Sequence, residues 1–186
     1  MEAKLQVVAE DTPNPLSNKF SINRKLLDGP GHDFPHLDAA QASPLARELF
    51  QLPGVTAVYI GPDFVTVTIK PGTDWWSERP LISQTIESHV AAGKPVLGDS
   101  PAPDAAPKTG LSPLELGVIR VLETEIQPAV AMDGGYIAFV GFDKGIVKVQ
   151  LRGACHSCPS ALVTLKAGIE SRLKQEFPEI SGVEAV

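Results

Sequence analysis

A proline- and alanine-rich stretch near the middle of the chain limits what its 186 residues can fold into. Residues 93–110 contain four prolines and few large apolar side chains. Such a segment cannot pack a core of its own and is typical of a linker between domains. We therefore expect two small domains, residues 1–92 and 111–186, joined by a flexible linker.

The first domain carries patterns of both strands and helices. Between Gly54 and Lys70, apolar residues alternate with polar ones on both sides of Gly61-Pro62-Asp63, which predicts a half-buried hairpin. A helix that begins at Ser43-Pro44, with serine as its cap, is expected before the hairpin. A second helix is expected after it, with the apolar positions Leu81, Ile86 and Val90.

The second domain opens with Ser112-Pro113-Leu114-Glu115, a capping-box pattern that starts a helix towards Gln127, and Pro128 should end or kink that helix. Strands are predicted at 136–142 and 147–151, turns at 133–135 and 143–145, and a last short strand at 183–186. A helix is predicted from Pro159, with an exposed ion pair between Glu170 and Lys174. The side chains on its buried side are Leu162, Leu165, Ile169, Leu173 and Phe177. The predicted fold class is α+β, with a short, mostly antiparallel sheet packed against helices in each domain.

Charge and hydropathy exclude several classes of protein. The net charge is −6, and neither half of the chain offers the basic surface that binding to nucleic acid requires. No apolar run approaches the length of a membrane span. The first residues lack the features of a secretory or transit peptide, so we expect a cytoplasmic protein, and a mitochondrial one only if a leader has been removed.

Two cysteines separated by two residues, Cys155 and Cys158, are the feature that bears most on function. They follow a predicted strand and precede Pro159, which is suited to the first position of a helix. The N–H groups and partial positive charge of a helix start favour thiolates and offset the charge of a thiolate-bound metal centre. Two sulfurs satisfy half of a tetrahedral zinc site or of a four-cysteine cluster, and a two-fold homodimer would supply the other half.

The sequence resembles the NifU-like (Nfu) iron-sulfur proteins over nearly its whole length except the linker. In the C-terminal half the resemblance is carried by Asp133-Gly134-Gly135, by residues 151–160 around the cysteines, and by residues 164–170. In the N-terminal half it is carried by residues 10–15, Lys19-Phe20, Ser43-Pro44-Leu45-Ala46, Leu49-Phe50, Gly54-Val55, residues 63–67 and Asp74-Trp75. The sequence departs from the usual pattern at Tyr136, His156 and Ala161, and none of these changes removes a ligand.

The resemblance implies a carrier or scaffold, and not an enzyme. It implies one [4Fe-4S] cluster per homodimer, held by Cys155 and Cys158 of both protomers. The cluster would come from upstream donors and pass to apo iron-sulfur proteins by thiolate exchange. The resemblance also implies that residues 1–92 contain no cluster ligands and help to engage targets, while residues 111–186 bind the cluster.

Two other functions remain open for the same cysteine pair. A strand, Cys-x-x-Cys and a helix also occur in thiol-disulfide oxidoreductases, although only residues 178–186 follow the helix, too few for the further strands of a thioredoxin-like sheet. A structural zinc that bridges two chains is the second alternative, because four sulfurs suit zinc as well as iron-sulfur.

Other residues that could carry chemistry have simpler explanations. His156 is interpreted as a solvated turn residue and not as a ligand. For His32, His36 and His89 we expect loop or helix-surface positions, and for Gly134 and Gly135 a structural turn. Adjacent Trp75 and Trp76 should send one ring to the core and one to the surface, where it could contact a partner. Phosphate-loop and nucleophile-elbow motifs are absent, as is any pairing of carboxylates suited to acid–base catalysis.

Overall fold

The computed structural model describes residues 4–29, 31–98, 110–155 and 159–186. It has the predicted α+β character, and the chain divides into two compact units, residues 1–104 and 105–186. Within the described ranges, none of the helices combines the length and the apolar character that a membrane crossing requires.

The N-terminal unit is built on a five-stranded sheet in which all neighbouring strands are antiparallel. In spatial order the strands are β1 (Val7–Asp11), β2 (Ser17–Ile22), β5 (Phe64–Ile69), β4 (Val55–Ile60) and β3 (His32–Phe34). The β4–β5 pair is the hairpin predicted from the alternating pattern. The sequence analysis did not identify β1, β2 and β3.

One face of this sheet packs against a 3₁₀ turn (Ala39–Ala42) and two helices, α1 (Pro44–Leu49) and α2 (Trp75–Ala91). Both helices were predicted. Ser43 caps α1, because its hydroxyl accepts a hydrogen bond from the backbone N–H of Ala46 at 3.0 Å. The core contains Phe20, Leu45, Leu49, Val65, Val67, Ile69, Ile82 and Ile86, all at most 1% exposed.

The residues that follow α2 are bound to the N-terminal unit. The hydroxyl of Ser43 donates to the carbonyl of Val96 at 2.6 Å, and the N–H of Gly98 donates to the carbonyl of Ala42 at 2.8 Å. Val96 and Leu97 pack against the core. The part of the predicted linker up to Gly98 therefore lies on the first unit.

The prediction of a loop or helix-surface position is wrong for His89. Its side chain is fully buried at the end of α2, with Nδ1 3.1 Å from Oε2 of Glu48 and Nε2 3.1 Å from the carbonyl of Pro95. A histidine can be buried when both ring nitrogens have polar partners. His32 also differs from expectation, since it lies in β3, whereas His36 is exposed in a loop as predicted.

The C-terminal unit has a three-stranded sheet in the order β6 (Gly135–Asp143), β7 (Ile146–Gly153) and β8 (Gly182–Ala185). The β6–β7 hairpin is antiparallel and β8 runs parallel to β7. Its helices are α3 (Pro113–Val121), α4 (Gln127–Met132) and α5 (Pro159–Glu176). The capping box at Ser112, the hairpin, the start of α5 and the last strand were all predicted and are confirmed.

Pro128 does not end its helix. A π-helical turn, Leu122–Ile126, joins α3 to α4, and within it the N–H of Gln127 donates to the carbonyl of Leu122, five residues earlier. A proline lacks the N–H that continues an α-helix and its ring collides with the preceding turn. The wider turn directly before Pro128 is consistent with relief of this collision, and the helix resumes to Met132.

Helix α5 packs on the sheet with the apolar side that its sequence pattern predicts. Ile169 and Leu173 are at most 1% exposed, and Leu165 and Phe177 pack at the margin of the core; the side chain of Leu162 lies outside the described residues. Glu170 and Lys174 form the predicted ion pair.

Candidate metal centre

The β6–β7 hairpin places Cys155 in the fold. Gly135 at the start of β6 pairs with Gly153 at the end of β7, and Tyr136 pairs with Arg152. Cys155 follows the end of β7 by two residues. It therefore lies beside the turn, residues 133–135, that joins α4 to β6.

A hydrogen bond ties the segment that carries Cys155 to this turn. The backbone N–H of Ala154 donates to the carbonyl of Gly134 at 3.2 Å. Gly134 has a φ of 72°, which residues with a Cβ atom rarely adopt. The prediction that this glycine serves a turn is therefore confirmed.

Gly135 has a different role, which the sequence analysis missed. A Cβ atom at this position would lie 2.5 Å from Sγ of Cys155 and 3.2 Å from the carbonyl oxygen of Arg152. Any side chain here would therefore displace the thiol. The signal in the sequence that could have revealed this role is the second glycine of the pair. The turn requires a glycine only at position 134, so Gly135 needed a separate explanation.

In this structure Cys155 is sheltered, with only 4% of its surface exposed, and belongs to the buried core of the C-terminal unit. Its predicted partner Cys158 and the neighbouring His156 lie outside the described residues. In the sequence, Cys158 directly precedes Pro159, the first residue of α5. The described geometry thus bears on one of the two predicted ligands.

Ionic contacts hold α5 against the rest of the unit. Arg172 donates two hydrogen bonds of 2.7 Å to Glu125 in the π turn and one of 2.6 Å to Glu176. These carboxylates raise the pKa of Arg172. Two parallel bonds from a guanidinium to a carboxylate fix direction as well as distance, so they orient α5 against the π turn.

Glu170 joins α5 to β8. Its carboxylate accepts hydrogen bonds from Lys174 at 2.5 Å and from the N–H of Val183 at 3.2 Å. The Lys174 contact, followed by the Val183 bond, holds the pKa of Glu170 below its ordinary value. The helix that begins directly after the cysteine pair is therefore fixed to both β8 and the π turn.

The sequence provides two thiols that could bind a metal. Among the described residues, no group of three or more His, Cys, Asp or Glu side chains is placed to hold a metal ion. The two thiols at 155 and 158 are the only ones in the sequence. The space that Gly135 leaves for Sγ of Cys155 fits a thiol side chain at this position.

The two tryptophans take the predicted positions. Trp75 packs at the margin of the N-terminal core and its Nε1 donates to the carbonyl of Pro15 at 3.0 Å. Trp76 is 89% exposed. A large exposed aromatic ring is suited to contact with another molecule.

Two family models match the chain. One, described as a NifU-like domain, matches residues 118–184, and the other, described as the scaffold protein Nfu/NifU N terminal, matches residues 7–93. A NifU-like protein from Saccharomyces cerevisiae, known from a solution structure, is 25% identical with a TM-score of 0.47, and the match covers 54% of this chain and 91% of that chain.

Curated relatives match along most of the chain. NFU1 iron-sulfur cluster scaffold homolog, mitochondrial, from Homo sapiens is 41% identical over 182 residues, which cover 97% of this chain and 71% of the relative. The protein of the same name from Drosophila simulans is 39% identical over 187 residues, and the chain spans only 64% of its length. These names are consistent with the mitochondrial alternative and do not support the cytoplasmic expectation. With both models matched and this identity across 97% of its length, the chain belongs to the NifU-like (Nfu) family.

Proposed function

We propose that this protein is an iron-sulfur cluster scaffold and carrier, with a [4Fe-4S] cluster as its cargo. Two family matches and the names of the relatives support the scaffold role. The observation that carries the assignment to a site is the place of Cys155 in the fold, two residues after β7 and beside the turn at 133–135, where Gly135 leaves room for its side chain.

Cys155 and Cys158 of two protomers would hold the cluster together. A cubane cluster takes four thiolates, and one chain offers two cysteines. A two-fold axis brings the same pair from a second copy to the same point without any further sequence. The start of α5, directly after Cys158, would contribute partial positive charge near the thiolates.

Delivery would proceed by exchange of ligands. A recipient's cysteine thiolate replaces one thiolate of the carrier at a time, so each iron–sulfur bond that breaks is matched by one that forms. The released carrier cysteine takes up the proton that the recipient's cysteine lost. Upstream donors would load the carrier by the same exchange, and apo iron-sulfur proteins would be the recipients.

We assign the two parts of the chain different tasks. Residues 111–186 would bind the cluster and residues 1–92, which contain no cysteine, would recruit targets. Exposed Trp76 on the first turn of α2 supports a recruiting surface in the first part, because exposed aromatic rings are enriched at contact sites. Residues 93–110 would link the two.

Oxygen-free reconstitution of the full chain with equal amounts of ferrous and ferric salts and with sulfide tests this proposal. We expect about four irons and four sulfides per dimer, with no zinc, and a mass in solution that doubles on loading. Cys155→Ala and Cys158→Ala should each lose the cluster and stay monomeric. Gly141→Ala is the matched control, because a Cβ at Gly141 on the same hairpin meets no atom within 4 Å.

Other results would point elsewhere. A Cys155→Ala protein with near-normal iron and sulfide would exclude this site. One zinc per dimer would favour the structural zinc bridge, and metal-free monomers that catalyse disulfide reduction would favour the oxidoreductase. Circular dichroism of each metal-free variant separates loss of ligand from loss of fold.

A further inference from the structure

The side chain of Cys155 is held away from solvent. Cys155 is 4% exposed, and its Sγ occupies the space where a Cβ of Gly135 would stand. The carbonyl oxygen of Arg152 lies 3.2 Å from the same point. We call this space, bounded by Gly135, Arg152 and the buried core, the thiol slot.

A cluster shared by two chains lies on the axis between them, outside the surface of each. A thiol that serves as a ligand there must reach beyond its own chain. Sγ of Cys155 in the thiol slot is turned towards its own backbone, so the described position and the ligating position differ.

We propose that the thiol slot stores Cys155 in the unloaded protein and that cluster uptake draws the thiol out of it. This inference rests on the proposed function, because it concerns the ligand of that site. Cys155 would then alternate between a buried position in the thiol slot and an exposed position in which it can bind iron, and Gly135 would affect how easily it moves from one to the other.

Storage has a chemical purpose in this position. Thiols that are accessible react with alkylating agents and oxidants, whereas sheltered thiols do so only when the surrounding structure opens. A carrier that releases its cluster leaves reactive thiols behind. The thiol slot would protect Cys155 until the next cluster arrives.

Alkylation of the metal-free full chain tests storage directly. Cys158→Ser leaves Cys155 as the only thiol, so the mass gained from iodoacetamide reports on this one group. We expect the alkylation rate of the folded protein to be about one tenth, or a smaller fraction, of the rate of the same protein in concentrated urea. Equal alkylation rates in buffer and in urea would overturn the proposal.

Gly135→Ala in the same Cys158→Ser background tests the slot itself. Its Cβ should expel Sγ and bring the alkylation rate to within about twofold of the unfolded rate, while circular dichroism shows a folded chain. Gly141→Ala, with open space around its Cβ, should leave the rate unchanged. A folded Gly135→Ala protein that still reacts slowly would remove Gly135 from the mechanism.

Reconstitution with both cysteines present tests the exposed position. Gly135→Ala should take up iron several times faster than the unsubstituted protein. A folded variant that binds no iron would show that the slot holds the ligating position, against the proposal. Failure of the cluster assignment is distinguishable, because alkylation is measured without metal.

Discussion

The side-chain carbonyl of Gln127 accepts a hydrogen bond from the backbone N–H of Ile137 at 3.0 Å. Ile137 lies on β6, an edge strand, two residues after Gly135. Gln127 is the first residue of α4, so this bond closes the segment that contains the turn at 133–135. The contact therefore satisfies a backbone donor at the edge of the sheet and steadies the wall of the thiol slot.

We expect Gln127→Ala to lower the free energy of unfolding by about 1 kcal/mol, because a partly buried N–H loses its partner. Urea unfolding followed by circular dichroism measures the change. Gln175→Ala, at an exposed position of α5, is the matched control and should change stability by less than about 0.5 kcal/mol. Equal effects of the two substitutions would show that the bond contributes nothing.

The carboxylate of Glu48 should make the N-terminal unit sensitive to acid. Lys94 donates to it at 2.8 Å and Nδ1 of His89 lies at 3.1 Å, and the Lys94 bond in particular holds the pKa of Glu48 below its ordinary value of 4.5. A carboxylate whose pKa is lower in the folded than in the unfolded protein stabilises the fold at pH values above its unfolded pKa. That stabilisation is lost as the pH falls through the pKa of the folded state.

Glu48→Gln should therefore destabilise the chain at about pH 7, and the difference should shrink as the pH falls through the lowered pKa of Glu48 in the folded state. Urea midpoints measured over a series of pH values test this. Glu87→Gln, at an exposed position of α2, is the control. A Glu48→Gln deficit that persisted undiminished in acid would contradict the expected linkage.

The turn between β6 and β7 contains a strained residue. Lys144 has a φ of 48° and Gly145 a φ of 85°, between the paired residues Asp143 and Ile146. Asparagine and glycine adopt positive φ more readily than lysine does. Lys144→Asn should raise the free energy of unfolding by about 0.5 to 1 kcal/mol, measured by urea unfolding. Lys144→Ala should bring no such gain, and a gain of equal size from alanine would exclude φ as the cause.

Gly168 is a site for stabilisation within α5. A Cβ there meets no atom within 4 Å, and its φ is not positive. Gly168→Ala should stabilise the chain by about 1 kcal/mol, since alanine is the better helix former. Ala167→Gly, at the exposed neighbouring position, should lose a similar amount. A melting temperature that falls for Gly168→Ala would reveal a contact made by this face of α5 in the folded protein.

Features that depend on neighbours in sequence could be predicted. The capping box is one: the hydroxyl of Ser112 accepts from the N–H of Glu115 at 3.3 Å and the Glu115 carboxylate accepts from the N–H of Ser112 at 2.8 Å. The ion pair four residues apart in α5 is another. In both cases helical geometry alone brings the groups together.

Features that depend on distant contacts could not be predicted. His89 is buried because Glu48, 41 residues earlier, lies beside it, and no local pattern signals that pairing. Gly135 needs to lack a side chain because β6 and β7 bring Cys155 against it.

β7 is the middle strand of its sheet, bonded to β6 on one side and to β8 on the other. β8 pairs only with the first half of this strand, Ile146–Val149, whereas β6 pairs with it as far as Gly153. The end of β7 that leads to Cys155 is therefore held by β6 alone, so in the exchange that we propose any displacement of this cysteine acts first on the β6–β7 hairpin.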